Sequence, residues 1–159
     1  MSADRKVLIF GGIALALVGM VYGLYYAVFV EHQTLDQMSG SLAGAFISAA
    51  ERSGPQSEDS LLNYGRANYR YVRQVDVHSH WIGLAMLMIV LGVVFDELRF
   101  AEHRRVLLAW SLLLGSAIFP LGVMLQTMDF QVMGSALAIV GSGLVILTLG
   151  TTAAGFARA

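Results

Sequence analysis

Four apolar runs, each about as long as a bilayer is thick, constrain this chain more than any other feature: residues 7–30, 77–95, 106–125 and 132–156. At roughly 1.5 Å per helical residue, about twenty residues cross a hydrocarbon core of about 30 Å. The expected fold is an all-α membrane protein, a single domain of four transmembrane helices in an up-down bundle. Overall, 57% of the residues are hydrophobic and 13% charged, with a mean hydropathy of +0.67, too apolar for an ordinary soluble domain. The first run follows "MSADRK" but outlasts the apolar stretch of a secretory signal, so it reads as a retained helix.

The remaining composition narrows the chemistry. With a net charge of −1 and ten scattered cations, no basic face can form for nucleic acid. The absence of cysteine excludes disulfides, thiolate metal sites and iron–sulfur clusters. Arg5, Lys6, Arg99, Arg104, Arg105 and Arg158 fall on one side of the four spans, while Arg52, Arg66, Arg70 and Arg73 on the other are diluted by acids. The excess of basic residues predicts cytoplasmic termini, and the expected setting is a bacterial inner membrane.

Residues 31–76 then form a long outer loop with its own helical signals. "TLDQ" (34–37) fits a capping box, and Leu35, Met38, Leu42, Phe46 and Ala49 fall on one stripe of a short amphipathic helix. "SGP" (53–55) breaks it, and "SED" (57–59) caps a second helix that carries Arg66, Arg70 and Arg73 towards the second span. The pattern predicts a small two-helix cap over the outer surface. All six tyrosines and Trp81 fall near this interface, where amphipathic rings collect.

In that topology the outer layer gathers Glu31, His32, Asp76, His78, His80, Gln126, Asp129 and Gln131, and the inner side holds His103 in an arginine-rich loop. Histidines at the edge of an apolar span are candidates for function. His78 and His80 stand at i and i+2, and a helix turning about 100° per residue sends them to nearly opposite faces. They cannot share one metal ion on a regular helix. Each binds its own cofactor, one does, or both only hydrogen-bond in the interfacial layer. Asp76 either caps the second span or fixes the tautomer of His80.

The surroundings suit a haem. Gly83, Leu84, Leu87 and Leu91 continue the His80 face, and Ile82, Ala85 and Ile89 continue that of His78, giving shallow dry surfaces for a macrocycle. Arg66, Arg70 and Arg73 are placed to pair with propionates. Copper is the alternative, through His32, His78, His80 and the soft thioethers of Met86, Met88, Met124, Met128 and Met133. Packing is the plainer role for those methionines. Pro120 predicts a kink in the third span, and Gly134 with "GSG" (141–143) a close approach of the fourth helix to a neighbour.

"VHSHWIGLAMLMIVLG" (77–92) resembles the haem-binding helix of the haem–copper oxidase superfamily, whose catalytic subunits carry a His-x-His pair near the outer start of an even-numbered helix. The resemblance implies axial haem ligands at His78 and His80, with haem b as the cofactor. That fold repeats a four-helix unit three times about a pseudo-threefold axis, which implies a homotrimer of this four-span chain, with His32 as a second axial ligand. The family's adjacent copper-binding histidines have no counterpart, so oxygen or nitric oxide reduction does not carry over. What is expected is a b-type cytochrome for electron transfer or diatomic-gas chemistry, with a redox partner or larger membrane complex. A non-catalytic accessory subunit, docked through the outer cap, is the reading from a different class.

Overall fold

The computed structural model describes residues 1–128 and 130–157 and is helical throughout its regular structure. Five helices follow one another: α1 (Ala3–Phe29), α2 (Glu31–Ala50), α3 (Gly54–Val94), α4 (Glu102–Leu125) and α5 (Gln131–Phe156), with a 3-10 turn at Phe95–Glu97 after α3. Among the described residues, α1, α3, α4 and α5 are long and apolar enough to cross a membrane. The chain divides into two compact units, a first made of residues 1–21 with those from Asp76 onward, and a second of Tyr22–Val75.

In the first unit the helices touch where side chains are small. A Cβ on Gly19 would lie 3.0 Å from the Trp81 Cβ, one on Gly12 2.9 Å from the Ala85 carbonyl, and one on Gly92 2.7 Å from Ile9, so α1 lies directly on α3. Between α4 and α5 the approach is closer still: a Cβ on Gly141 would sit 2.5 Å from the Phe119 backbone nitrogen, and one on Gly122 would collide with Ala138. This is how helices associate where lipid supplies no hydrophobic drive between them, by bringing backbones together. Gly134 and Gly141 meet the expectation of a close approach; Gly143 has nothing within 4 Å of an added Cβ. α4 runs unbroken through the buried Pro120. Opposite faces present large apolar residues outward, among them Phe10, Val90, Leu114, Ile139 and Leu147.

One end of this unit is held by charge. The Asp4 side chain, fully buried, lies 3.1 Å from the Arg105 guanidinium, and Arg5 lies 2.9 Å from Asp96. Ser2 donates to Asp96 at 2.8 Å, and the Arg5 Nε–H donates to the Gly92 carbonyl at 3.1 Å. The start of α1, the turn after α3 and the start of α4 are thereby tied together, over a plug formed by the buried Phe95 and Leu98.

In the second unit the loop is helical, as expected, with different joints. α2 begins at Glu31 after a one-residue break at Val30; Thr34 is inside it, its hydroxyl donating back to the Val30 carbonyl at 3.1 Å, so there is no capping box. The chain turns at Arg52, whose φ of 58° is left-handed, one residue ahead of "SGP". α3 starts at Gly54 with Pro55 in its first turn, where the missing N–H costs nothing. Ser57 is therefore within α3, and its hydroxyl donates to the Ala45 carbonyl of α2 at 3.0 Å instead of capping. The second cap helix does not end before the second span: both are α3, 41 residues and about 60 Å long. No proline and no turn signal interrupts it after Pro55.

The stripe that packs also differs. Ala45 and Ala67 are the buried residues of this hairpin, while Leu35, Leu42 and Phe46 are exposed, Phe46 to 70%. Small side chains (Gly44, Ala45, Ser57, Ser60) let the backbones close up, and the large ones are left outside.

Candidate functional site

The histidine pair lies well inside α3 (Gly54–Val94), far from its start, so Asp76 is not the cap of a helix. Regular helical geometry sends the two rings apart, as the spacing requires. The His78 Nδ1 lies 2.9 Å from the Gly19 carbonyl of α1, and the His80 ring meets the edge of the Phe119 ring of α4 at 4.6 Å between centroids. The His80 Nδ1 lies 2.6 Å from the backbone carbonyl of Asp76, one turn earlier. The main-chain carbonyl of Asp76 thus orients this imidazole.

These contacts fix both tautomers. A carbonyl oxygen can only accept, so each Nδ1 must carry the proton, and in the neutral ring Nε2 keeps its lone pair. A ring held by an Nδ1–H donor bond to a carbonyl, with Nε2 left to ligate, is the arrangement that orients metal-binding histidines. Both rings are half-buried.

The two sides of α3 differ in the space they offer a flat macrocycle. Below His78, the face of Ile82, Ala85 and Ile89 is taken up by α1 through Gly19 and Gly12. No porphyrin enters there without displacing that helix, which corrects the expectation of a free surface on this side. Beside His80, Gly83 is exposed and nothing lies within 4 Å of an added Cβ. Met86 and Val90 continue this open flank of α3. The His78 side is thus closed by α1, whereas the flank of α3 beside His80 is open at Gly83.

The other expected residues are placed separately. His32 is exposed in the first turn of α2. Arg70 is exposed and donates to the Gln37 side chain at 3.1 Å; Arg73 lies 5.3 Å above the Tyr69 ring; Arg66 bonds the Asn63 side chain at 3.2 Å. All four belong to the second unit. Among the described residues no three His, Cys, Asp or Glu side chains are gathered as a metal site would need, so the proposed copper set of His32, His78 and His80 has no such cluster behind it. Met88 is fully buried in the core, while Met86, Met128 and Met133 are exposed. His103 is exposed in the first turn of α4, a helical position where a loop was expected. Gln126 and Gln131 flank the α4–α5 connection, and Asp129 and Arg158 lie outside the described residues.

Two contributors had no separate signal in the sequence. Phe119 reads as one more apolar residue of its span, and Gly19 as a packing glycine; only the contacts show that Phe119 touches the His80 ring and that the Gly19 carbonyl accepts a hydrogen bond from His78. No family model matches the chain, and neither a curated protein nor a solved structure does.

Proposed function

We propose that this chain is a small integral-membrane b-type cytochrome, with haem iron ligated by the Nε2 of His80. The observation that carries the reading is the 2.6 Å bond from the His80 Nδ1 to the Asp76 carbonyl, beside the open flank at Gly83. His80 would hold the iron, its backbone acceptor would set ring orientation and raise ligand basicity, and Phe119 would limit ring rotation and exclude water. The group itself would supply one-electron or diatomic-gas chemistry. His78, bonded to Gly19 on the side filled by α1, serves as the tie between the two helices.

Several finer expectations belong with this reading. The opposed contact order of α1 with α3, and of α4 with α5, supports an up-down bundle. We place both termini in the cytoplasm of a bacterial cell, on the arginine count, and the chain in a homotrimer whose neighbouring copy covers the open flank of α3. An electron donor or a larger complex would then meet the outer side.

A reduced-minus-oxidised visible spectrum of the purified protein tests the proposal. A Soret band that His80→Ala removes and His78→Ala retains is the expected result. A colourless protein that also fails to take up added haem overturns it.

A further inference from the structure

Arg66 and Arg70 are held in place yet keep their charge uncompensated. Arg66 bonds the Asn63 side chain at 3.2 Å and Arg70 that of Gln37 at 3.1 Å. Both partners are neutral amides, both arginines are exposed, and neither enters an ion pair among the described residues. They belong to a stripe. Taking about 100° per residue, Leu62, Arg66, Tyr69, Arg70 and Arg73 are turned from the inward Ala67 by roughly 60° to 160°, all in one sense. Leu62 and Tyr69 are exposed as well, and Arg73 lies 5.3 Å above the Tyr69 ring. Gln37 of α2 falls on the same side, as its bond to Arg70 shows. Asp59 falls in the same arc but just beyond Leu62, where it accepts from the Asn63 amide at 3.3 Å.

We infer that this stripe is the docking surface for an acidic face of a water-soluble protein. Charge is the first reason. Residues 60–75 carry three arginines and no acid. A partner of net negative charge is steered to such a patch, whereas a second copy of this chain brings eleven acids against ten cations and no net field. Three cations fall short of the roughly six to ten phosphate contacts that hold a nucleic acid. Side-chain type is the second reason. All three cations are arginine, whose planar fork takes a carboxylate through two parallel hydrogen bonds. Arginine and tyrosine are also the residues that dominate contacts between proteins.

Length decides against lipid headgroups. From Leu62 to Arg73 the stripe runs about 16 Å along α3, and α3 continues unbroken into its apolar stretch. The polar layer on one side of a bilayer is about 5–8 Å deep. A helix that goes on to cross the bilayer therefore carries Leu62 and Arg66 beyond that layer, into water. The bonds from Asn63 and Gln37 hold two of the guanidinium groups before any partner arrives, so docking loses less side-chain entropy there. The surface is drawn from the second unit alone and stands whether or not the protein binds haem.

The full-length protein in phosphatidylcholine nanodiscs is titrated with fluorescent poly-L-glutamate. Arg66→Gln with Arg70→Gln should weaken binding about tenfold and flatten its salt dependence, at an unchanged melting temperature. Arg99→Gln with Arg104→Gln, outside the stripe, should leave binding as it was. In the native membrane, Leu62→p-benzoylphenylalanine should cross-link on illumination to a soluble protein of net negative charge. Added poly-L-glutamate, or the Arg66 and Arg70 changes, should abolish that product. Equal poly-L-glutamate binding by the two double variants, no adduct at residue 62, an adduct with lipid or with a second copy of this chain, or one that survives the arginine changes would each overturn the inference.

Discussion

The two units of this chain are packed by the same device and end up with opposite needs. In both, small residues line the contact and large apolar ones point away. Around α1, α4 and α5 this is the expected outcome for helices in lipid, since acyl chains solvate an exposed Leu147 or Ile139 as well as protein would. In the α2–α3 hairpin the same pattern leaves Phe46, Leu61 and Val72 on a segment that includes a helix too polar to span. The difference teaches that inward-facing small residues are not by themselves a membrane signature. What covers the large residues depends on what else the helix carries.

The comparison is sharpest where charge replaces glycine as the fastening. Arg105→Met would leave Asp4 buried without its partner, and we expect the first unit to lose about 3–5 kcal/mol, read as a fall in thermal stability in detergent. Arg5→Met, at the solvent-facing pair with Asp96, should leave thermal stability in the same assay nearly unchanged. Equal effects would mean that burial of Asp4 is not what distinguishes the two pairs.

Gly141→Leu comes next, at about 3 kcal/mol, because a side chain there must push Phe119 and the α4 backbone away. Gly143→Leu, one turn-face round on the same helix, should be nearly silent. In the second unit, removing the Ser57 hydroxyl as Ser57→Ala should cost about 1 kcal/mol, the value of one side chain to backbone hydrogen bond, seen as faster amide exchange at the α2–α3 turn. Phe46→Ser is the smallest: within about 0.5 kcal/mol for the isolated chain, because the ring is already outside. A large loss there would mean that the ring is covered within one chain.

How far the site was legible follows from the same physics. The i, i+2 spacing of His78 and His80 was enough to send them to different helices, because backbone pitch is local and leaves no choice. Of the two roles open to Asp76, capping the second span or orienting His80, the second is met by its backbone carbonyl, which the preceding turn of a helix always brings within reach. The capping signals at Thr34 and Ser57 misled because a hydroxyl serves equally well inside a helix, against its own i−4 carbonyl or a neighbour's. The apolar stripe of α2 misled because hydrophobic periodicity marks which side avoids water, not which neighbour takes it.

Residue order alone determined that four segments are long and apolar enough to cross a bilayer, that the loop between the first two is helical, and that the two histidines part company. Those are consequences of hydropathy and pitch, which each segment carries by itself. Only the tertiary structure decided that α1 fills the side of His78 and that the side of His80 stays open at Gly83. Which glycine meets which backbone depends on two helices at once, and neither sequence segment holds that information alone.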